Sequence, residues 1–445
     1  MMNALRQARM ELGWSQSRLI AELQKQARSL GATLPSARSL KTQVSRWENG
    51  HRTPDAFHQR LFAMTYRRSP EQLGIVSDEA DTSLALGETW EESVATASQL
   101  WRRDLDRRDF LKSSAFTAAA FAAPTLHALV GKADAFPTRT SGRLTVGTSQ
   151  LTFIQDMTKQ LGTLDNRYGG GQVRRAAVAF LDGEVSPLLT EGRFSSSVGR
   201  SLLRSAAELA RLVGWMTHDV GRHGLAQRYL VQALHLAEAA GDRALMSEVL
   251  AAMSQQATYM GEPREAVDLA RGARTLAERE GLSALVAEAS VMEAHGQARA
   301  GNSALCAAAL SAAETALDRA DRSSDPHWIG YFDEAYMSAK FGHCLRELGD
   351  YQHAIKFAER SLQMTEGYER GRVFNLTLLA HSHAERGAVD QACAVGKDAA
   401  AAAAGMNSHR VVKHLRDFRR ALAPAEGSAD VAELDNALMP VLNAA

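Results

Sequence analysis

Five glycines set the frame of this chain. Gly221, Gly261, Gly301, Gly349 and Gly387 each stand five residues before a small residue, in turn Ala226, Ala266, Cys306, Ala354 and Ala392. Seven residues further on come Ala233, Ala273, Ala313, Ser361 and Ala399, and twelve before the inner small residues come Gly214, Ser254, Ala294, Gly342 and Ala380. Small side chains at fixed offsets around a glycine-led turn are what stacked two-helix hairpins require, because the helices of each pair, and of adjacent pairs, must approach closely. The glycines are 40, 40, 48 and 38 residues apart. A chain of 445 residues exceeds what one compact core supports. Few aromatics (6%), scarce β-branched runs and abundant alanine favour helix nearly throughout. The expected class is all-α.

This register resembles the tetratricopeptide repeat (TPR), in a degenerate form longer than the standard ~34 residues. The resemblance implies an α-solenoid whose concave face is lined by the first helix of each hairpin. Segment 172–212 is expected to add one or two hairpins before the register begins, and 409–422 with 431–442 to cap its end. Just past each small residue, the position facing the concavity reads Trp215, Gln255, His295, His343 and His381; one turn later stand His218 and Arg346, with Tyr259 and Arg299 beside them. Amide, imidazole and guanidinium groups in a row suit hydrogen bonding to a peptide backbone or a polar small ligand, and equally suit a hydrated groove that binds nothing. The histidines lie 38 to 48 residues apart with no carboxylate or cysteine spacing to support a metal site. Three widely spaced cysteines form no disulfide framework; Cys306, Cys344 and Cys393 read as buried small residues in a reducing cytoplasm.

The N-terminal end differs in charge. Net charge is zero over the chain, yet residues 1–76 hold 12 Lys and Arg against 5 Asp and Glu, leaving 39 against 46 for the remainder. A basic head on an acidic body suits a head that meets phosphates. Apolar spacing predicts helices at 3–12, from Gln16 to about Ser29, and from about Ser39 to Glu48, with a fourth opened by Pro54. Gly13 is placed to end the first, and Ser15 to cap the second.

The strings GWSQ (13–16), VSRWENG (44–50) and TPD (53–55) resemble the Cro/repressor-type (XRE-like) helix-turn-helix family. The resemblance implies a third helix, within LKTQVSRWENG at 40–50, lying in the major groove. Lys41, Thr42, Ser45 and Arg46 would then face base edges. Gln16 would meet a phosphate, and Asn49 and Arg52 would meet the flanking backbone. Val44 and Trp47 would point into the core, and Arg9 and Glu48 would form an internal ion pair. Residues 31–37 lengthen the turn before this helix relative to the family, which bears on its docking angle.

Residues 77–143 read as a linker carrying a helix near Trp90. Within it, Arg107 and Arg108 begin a string close to a twin-arginine export signal: an apolar run follows, then Ala133-Asp134-Ala135. Its distance from the N-terminus favours a helix joining two domains, with export or membrane tethering the alternative. No P-loop, dinucleotide fingerprint, nucleophile elbow or metal cluster is present, and enzymatic activity is not expected.

An XRE-like head (1–76), a twin-arginine-like linker and a TPR-like body (144–445) together resemble a group of actinobacterial regulators and, more loosely, the peptide-sensing helix-turn-helix–TPR regulators. The resemblance implies a cytoplasmic transcription factor on double-stranded DNA, a homodimer without cofactor, whose body senses a peptide, small molecule or protein partner. The alternative is an interaction scaffold with a vestigial head.

Overall fold

The computed structural model describes residues 4–29, 34, 37–49, 54, 56–66, 68, 73, 89–105, 115–131 and 136–443; for some helical residues of the head, Thr42 among them, it describes the backbone alone. The chain divides into two units, residues 1–82 with 110–115, and 83–109 with 116–445.

The first unit holds α1 (Ala4–Glu11), α2 (Gln16–Ser29), α3 (Ala37–Glu48) and α4 (Ala56–Tyr66). Their apolar faces meet at Leu5, Leu19, Leu23, Leu40, Val44, Leu61 and Phe62. Trp47 packs edge-on to Phe62 with centroids 5.7 Å apart. Gly13 takes φ 63° after α1, and the Ser15 hydroxyl accepts from the Arg18 amide at 3.2 Å, so both helix punctuation marks act as their residue types demand. Arg9 Nε donates to Glu48 Oε1 at 2.5 Å and Arg9 Nη1 to the Trp14 carbonyl at 2.6 Å. This buried pair ties α1 and the start of α2 to the end of α3.

The second unit begins earlier than the sequence suggests. Part of the expected linker belongs to its core: α5 (Trp90–Leu105) buries Val94, Ala97, Leu100 and Trp101, and α6 (Ala122–Val130), after a 3₁₀ turn at Ala118–Phe121, buries Ala128. Asp104 on α5 receives the Tyr229 hydroxyl at 2.8 Å and a guanidinium nitrogen of Arg174 at 2.9 Å. The amphipathic period of α5 is answered by apolar faces inside the body, so this segment is no spacer. Residues 106–114, with Arg107 and Arg108, and 132–135 lie outside the described residues. No helix among those described is long and apolar enough to cross a membrane.

A two-residue parallel pairing of β1 (Leu144–Thr145) with β2 (Gly192–Arg193) flanks an antiparallel hairpin of α7 (Thr148–Tyr168) and α8 (Gly170–Phe180). A π turn leads to α9 (Ser186–Glu191). Five hairpins follow: α10 (Ser196–Asp219) with α11 (His223–Ala239), α12 (Arg243–Met260) with α13 (Pro263–Glu280), α14 (Ser283–Arg299) with α15 (Ser303–Asp318), α16 (Glu334–Glu347) with α17 (Tyr351–Ser361), and α18 (Glu369–Glu385) with α19 (Val389–Ala402). A sixth pair, α20 (His409–Ala421) and α21 (Ala429–Asn443), closes the array where the capping segments were expected. The extra N-terminal hairpin is displaced from expectation: it spans 148–180, and 172–212 holds most of α8, all of α9 and most of α10.

The glycine register is explained in full. Gly221, Gly261, Gly301, Gly349 and Gly387 adopt φ of 76° to 82°, the left-handed region that ends the first helix of each hairpin. All small residues of the three offset rows are buried. A Cβ on Gly214 would stand 3.1 Å from Leu230 Cδ2, and one on Gly342 2.9 Å from Leu378 Cδ2. Ser254 instead uses its hydroxyl, donating to the Ala266 carbonyl of the paired helix at 2.7 Å.

The solenoid closes on itself. Helix α7 packs both on α10 and on α18 of the fifth hairpin. The DNRYGGG string at 165–171 is the seam. Gly171 N donates to the Asn407 carbonyl (3.0 Å) and Asn407 N to the Tyr168 carbonyl (2.8 Å). Gly169 has φ 83°, and a Cβ there would lie 2.5 Å from the Asn407 carbonyl oxygen. Behind the seam Asp165, Arg370, Asp219 and Arg410 form a buried chain of ion pairs.

Candidate functional site

Closure turns the concave face into a cavity of about 670 Å³. Its walls are the first helices of the hairpins, with α7 and α20. The structure brings together here Trp215, His218, Gln255, Tyr259, His295, Arg299, His343 and Arg346, all expected from the register. His381 lies apart. It lines an adjoining recess of about 60 Å³, because Arg346 Nη1 approaches its Nδ1 at 3.0 Å and the Phe418 ring of α20 faces it at 6.4 Å.

One wall is an imidazole and aromatic stack. His218 Nδ1 meets His223 Nδ1 at 3.0 Å, and its ring stands 4.9 Å from Tyr259. His295 stacks on His343 at 5.9 Å, and His343 reaches His414 at 6.2 Å. Burial holds these rings neutral, with Arg410, Arg346 and Lys340 reinforcing it: His414 falls to about 3, His223 and His381 to about 4, and His218, His295 and His343 well below the usual value. The Arg410 guanidinium sits among three rings, 5.0 Å from Trp215, 5.8 Å from Tyr259 and 4.8 Å from Phe374.

A second set of lining residues was missed from sequence. Glu208, Glu248 and Glu288 line the cavity with Arg211, and residues between α15 and α16 dip in to cover them. Arg211 Nη1 pairs with Glu248 Oε1 at 2.7 Å. Lys340 stands 5.2 Å over the Tyr336 ring, its ammonium lowered to about 7 by burial and by Arg410. One signal was present in the sequence: the 48-residue spacing between Gly301 and Gly349 marks the insert that reaches these residues. Among the described residues Glu248 Oε2, Glu288 Oε2, His218 Nε2, Arg410 Nε and Arg346 Nε have no hydrogen-bond partner. Unsatisfied acceptors and donors lining one cavity, Arg211 Nε among them, fit a polar ligand.

In the first unit, Lys41 and Arg46 are exposed on α3, Ser45 is half-buried, and Val44 and Trp47 are buried. Two expected backbone readers are engaged internally: Gln16 Nε2 donates to Glu48 Oε2 at 2.8 Å, and Asn49 Nδ2 to the Ser45 carbonyl at 2.8 Å. The Thr42 side chain and all of Arg52 lie outside the described residues.

The fold and cavity define an all-α protein with a TPR-like helical-repeat body closed around a central chamber. No protein-family model matches the chain, and no curated protein matches it. Among solved structures, a Rap protein complexed with competence and sporulation factor is 13% identical over 66% of this chain and 97% of that one, at TM-score 0.40. A signal-transduction ATPase (STAND) protein with a tetratricopeptide repeat sensor, from Pyrococcus horikoshii, is 13% identical over 87% of this chain and 56% of that one, at TM-score 0.33.

Proposed function

We propose that the chain is a DNA-binding transcriptional regulator whose repeat body takes a ligand in its central cavity and carries the contacts of a homodimer. The observation that supports it most is the cavity: about 670 Å³ is the size of a small-ligand site, and its walls carry buried polar atoms without partners. The head adds exposed Lys41 and Arg46 on α3, donors suited to guanine O6 and N7. Ligand binding would shift hairpins α10 to α20 against the seam, and so change the half-site spacing that two heads can span. Three free, buried cysteines accord with a cytoplasmic setting.

A second reading, a scaffold with a vestigial head, draws on Gln16 and Asn49, whose amides are spent within the head. Genome-wide occupancy mapping, followed by retardation of the recovered fragments at rising salt, separates the two. A DNA reader enriches a two-fold or pseudo-two-fold sequence and loses affinity steeply between low and moderate salt. Absence of any enriched sequence would sink the regulatory reading.

A further inference from the structure

Three carboxylates occupy one register of the repeat. Glu208, Glu248 and Glu288 stand thirteen residues before Gly221, Gly261 and Gly301, so α10, α12 and α14 each present a glutamate at the same position on the cavity wall. All are buried, at 8%, 2% and 2% exposure. First helices of stacked hairpins run about 8–10 Å apart, which sets the rung spacing. The guanidinium facing this row is that of Arg211: its Nη1 is given to Glu248, and its Nε is left without a partner.

The insert at 319–333 supplies the remaining donors. His327 Nε2 lies 3.0 Å from Glu208 Oε1. The Tyr331 hydroxyl reaches Glu248 Oε1 at 3.1 Å and also contacts Glu288 Oε1. A hydroxyl has one hydrogen, so it cannot serve both carboxylates at once. Nothing else among the described residues donates to Glu248 Oε2 or Glu288 Oε2. Burial first, then the charge of Glu248, pushes the Glu288 carboxyl well above its usual range. A proton retained on this pair would satisfy the two carboxyls. A buried row whose carboxylate oxygens outnumber the donors that reach them is a place where a cationic donor binds.

The surroundings select an organic cation. Tyr331, Tyr336 and Trp328 offer ring faces beside the row, and Lys340 stands close by. No group of His, Cys, Asp and Glu among the described residues is arranged to hold a metal ion. The chamber has room for a small organic body, and the unpaired Nε atoms of Arg346 and Arg410 suit an acceptor elsewhere on it.

We propose that Glu208, Glu248 and Glu288 form a subsite for the guanidinium or primary ammonium group of the ligand, which replaces the shared proton and displaces the Tyr331 hydroxyl. This rests on the reading of the cavity as a ligand site.

Isothermal titration calorimetry of the full chain, without DNA, tests it with L-arginine, agmatine and acetyl-Ala-Arg-Ala-amide as cations. L-citrulline, with the same α-ammonium but an uncharged side chain, is the counterpart of arginine that isolates the side-chain cation. The guanidinium probes bind, citrulline binds at least about tenfold more weakly, and Glu288→Gln costs about tenfold or more, as loss of a charge-assisted hydrogen bond should. Heats measured in buffers of different ionisation enthalpy report release of about one proton on binding. Tyr331→Phe, by removing the internal competitor, tightens binding several-fold, a gain that a misfolded variant cannot produce. Binding by free arginine or agmatine assigns the cation to a metabolite, and binding by the peptide alone assigns it to a peptide side chain. Equal affinity for citrulline, no proton release, unchanged affinity in Glu288→Gln, or no cation binding at millimolar concentration overturns the assignment. Because DNA is absent, failure here leaves the DNA-binding reading standing.

Discussion

Arg370 grips Asp165 across 205 residues of sequence, with Nη1 and Nη2 2.9 and 2.6 Å from the two carboxylate oxygens. Both side chains are buried, and Asp219 lies 3.1 Å from the same Nη1. These carboxylates hold the guanidinium firmly charged, against the burial that would discharge it. The pair joins α7 of the N-terminal hairpin to the fifth hairpin, and with the backbone contacts of Asn407 it closes the chamber. Arg370→Met leaves two buried carboxylates without their shared partner and is expected to cost about 3–5 kcal/mol. Urea unfolding of the full chain measures it; a loss under about 1 kcal/mol would show that the seam does not depend on this pair.

Two glycines of positive φ should respond differently to alanine. Gly349 has φ 80° and open space around a hypothetical Cβ, so Gly349→Ala costs about 1–2 kcal/mol of left-handed strain. Gly169→Ala adds a Cβ 2.5 Å from the Asn407 carbonyl oxygen. The larger loss is expected at Gly169, with hydrogen-exchange protection falling selectively in α20. Equal effects of the two would contradict the seam.

Stability should fall as pH drops below neutrality. His223, His235 and His381 are depressed to about 4 and His414 to about 3, from 6.5. Between about pH 6.5 and 4 the unfolded chain binds protons that the folded chain refuses, so this contribution is whole above 6.5 and is lost on acidification. Burial raises the Glu288 and Asp165 carboxyls, and these two act in the opposite sense, but the imidazoles outnumber them. Calorimetric melting from pH 7.5 to 4.5 should show a steady decline; a flat profile would refute it.

In the head, Glu48 is 2% exposed and holds both Arg9 and Gln16. Glu48→Ala leaves a half-buried guanidinium unpaired, and exchange protection in α1 to α3 of the full chain should drop by about 3 kcal/mol. Unchanged protection would mean that apolar contacts alone fix these helices.

For DNA, Arg46→Ala should weaken specific retardation by about 1–3 kcal/mol and relax the sequence preference, whereas loss of a phosphate contact weakens all fragments alike. Intact operator binding in this variant would remove Arg46 from the reading face.

The repeat register, the helices of the head and one set of cavity-lining positions were legible in the sequence. Left-handed turns demand glycine, close helix crossings demand small residues, and both demands are local and recur at fixed offsets. Eight of the nine expected groove residues therefore reach one chamber. What the register could not carry is the closure. Nothing local in DNRYGGG marks it as the seam, because the carbonyl of Asn407 that requires its glycines comes from the far end of the array. The packing of α5 and α6 into the body depends likewise on distant faces, as Asp104 with Tyr229 shows. The glutamate row was periodic and visible in principle; its meaning was not, since the donors that cover it come from an insert that breaks the period. Sequence alone determined a stack of helical hairpins, because periodic packing is a local constraint. Tertiary structure decided that the stack encloses a chamber, because that rests on ion pairs and backbone contacts between residues far apart in the chain, which no local pattern encodes.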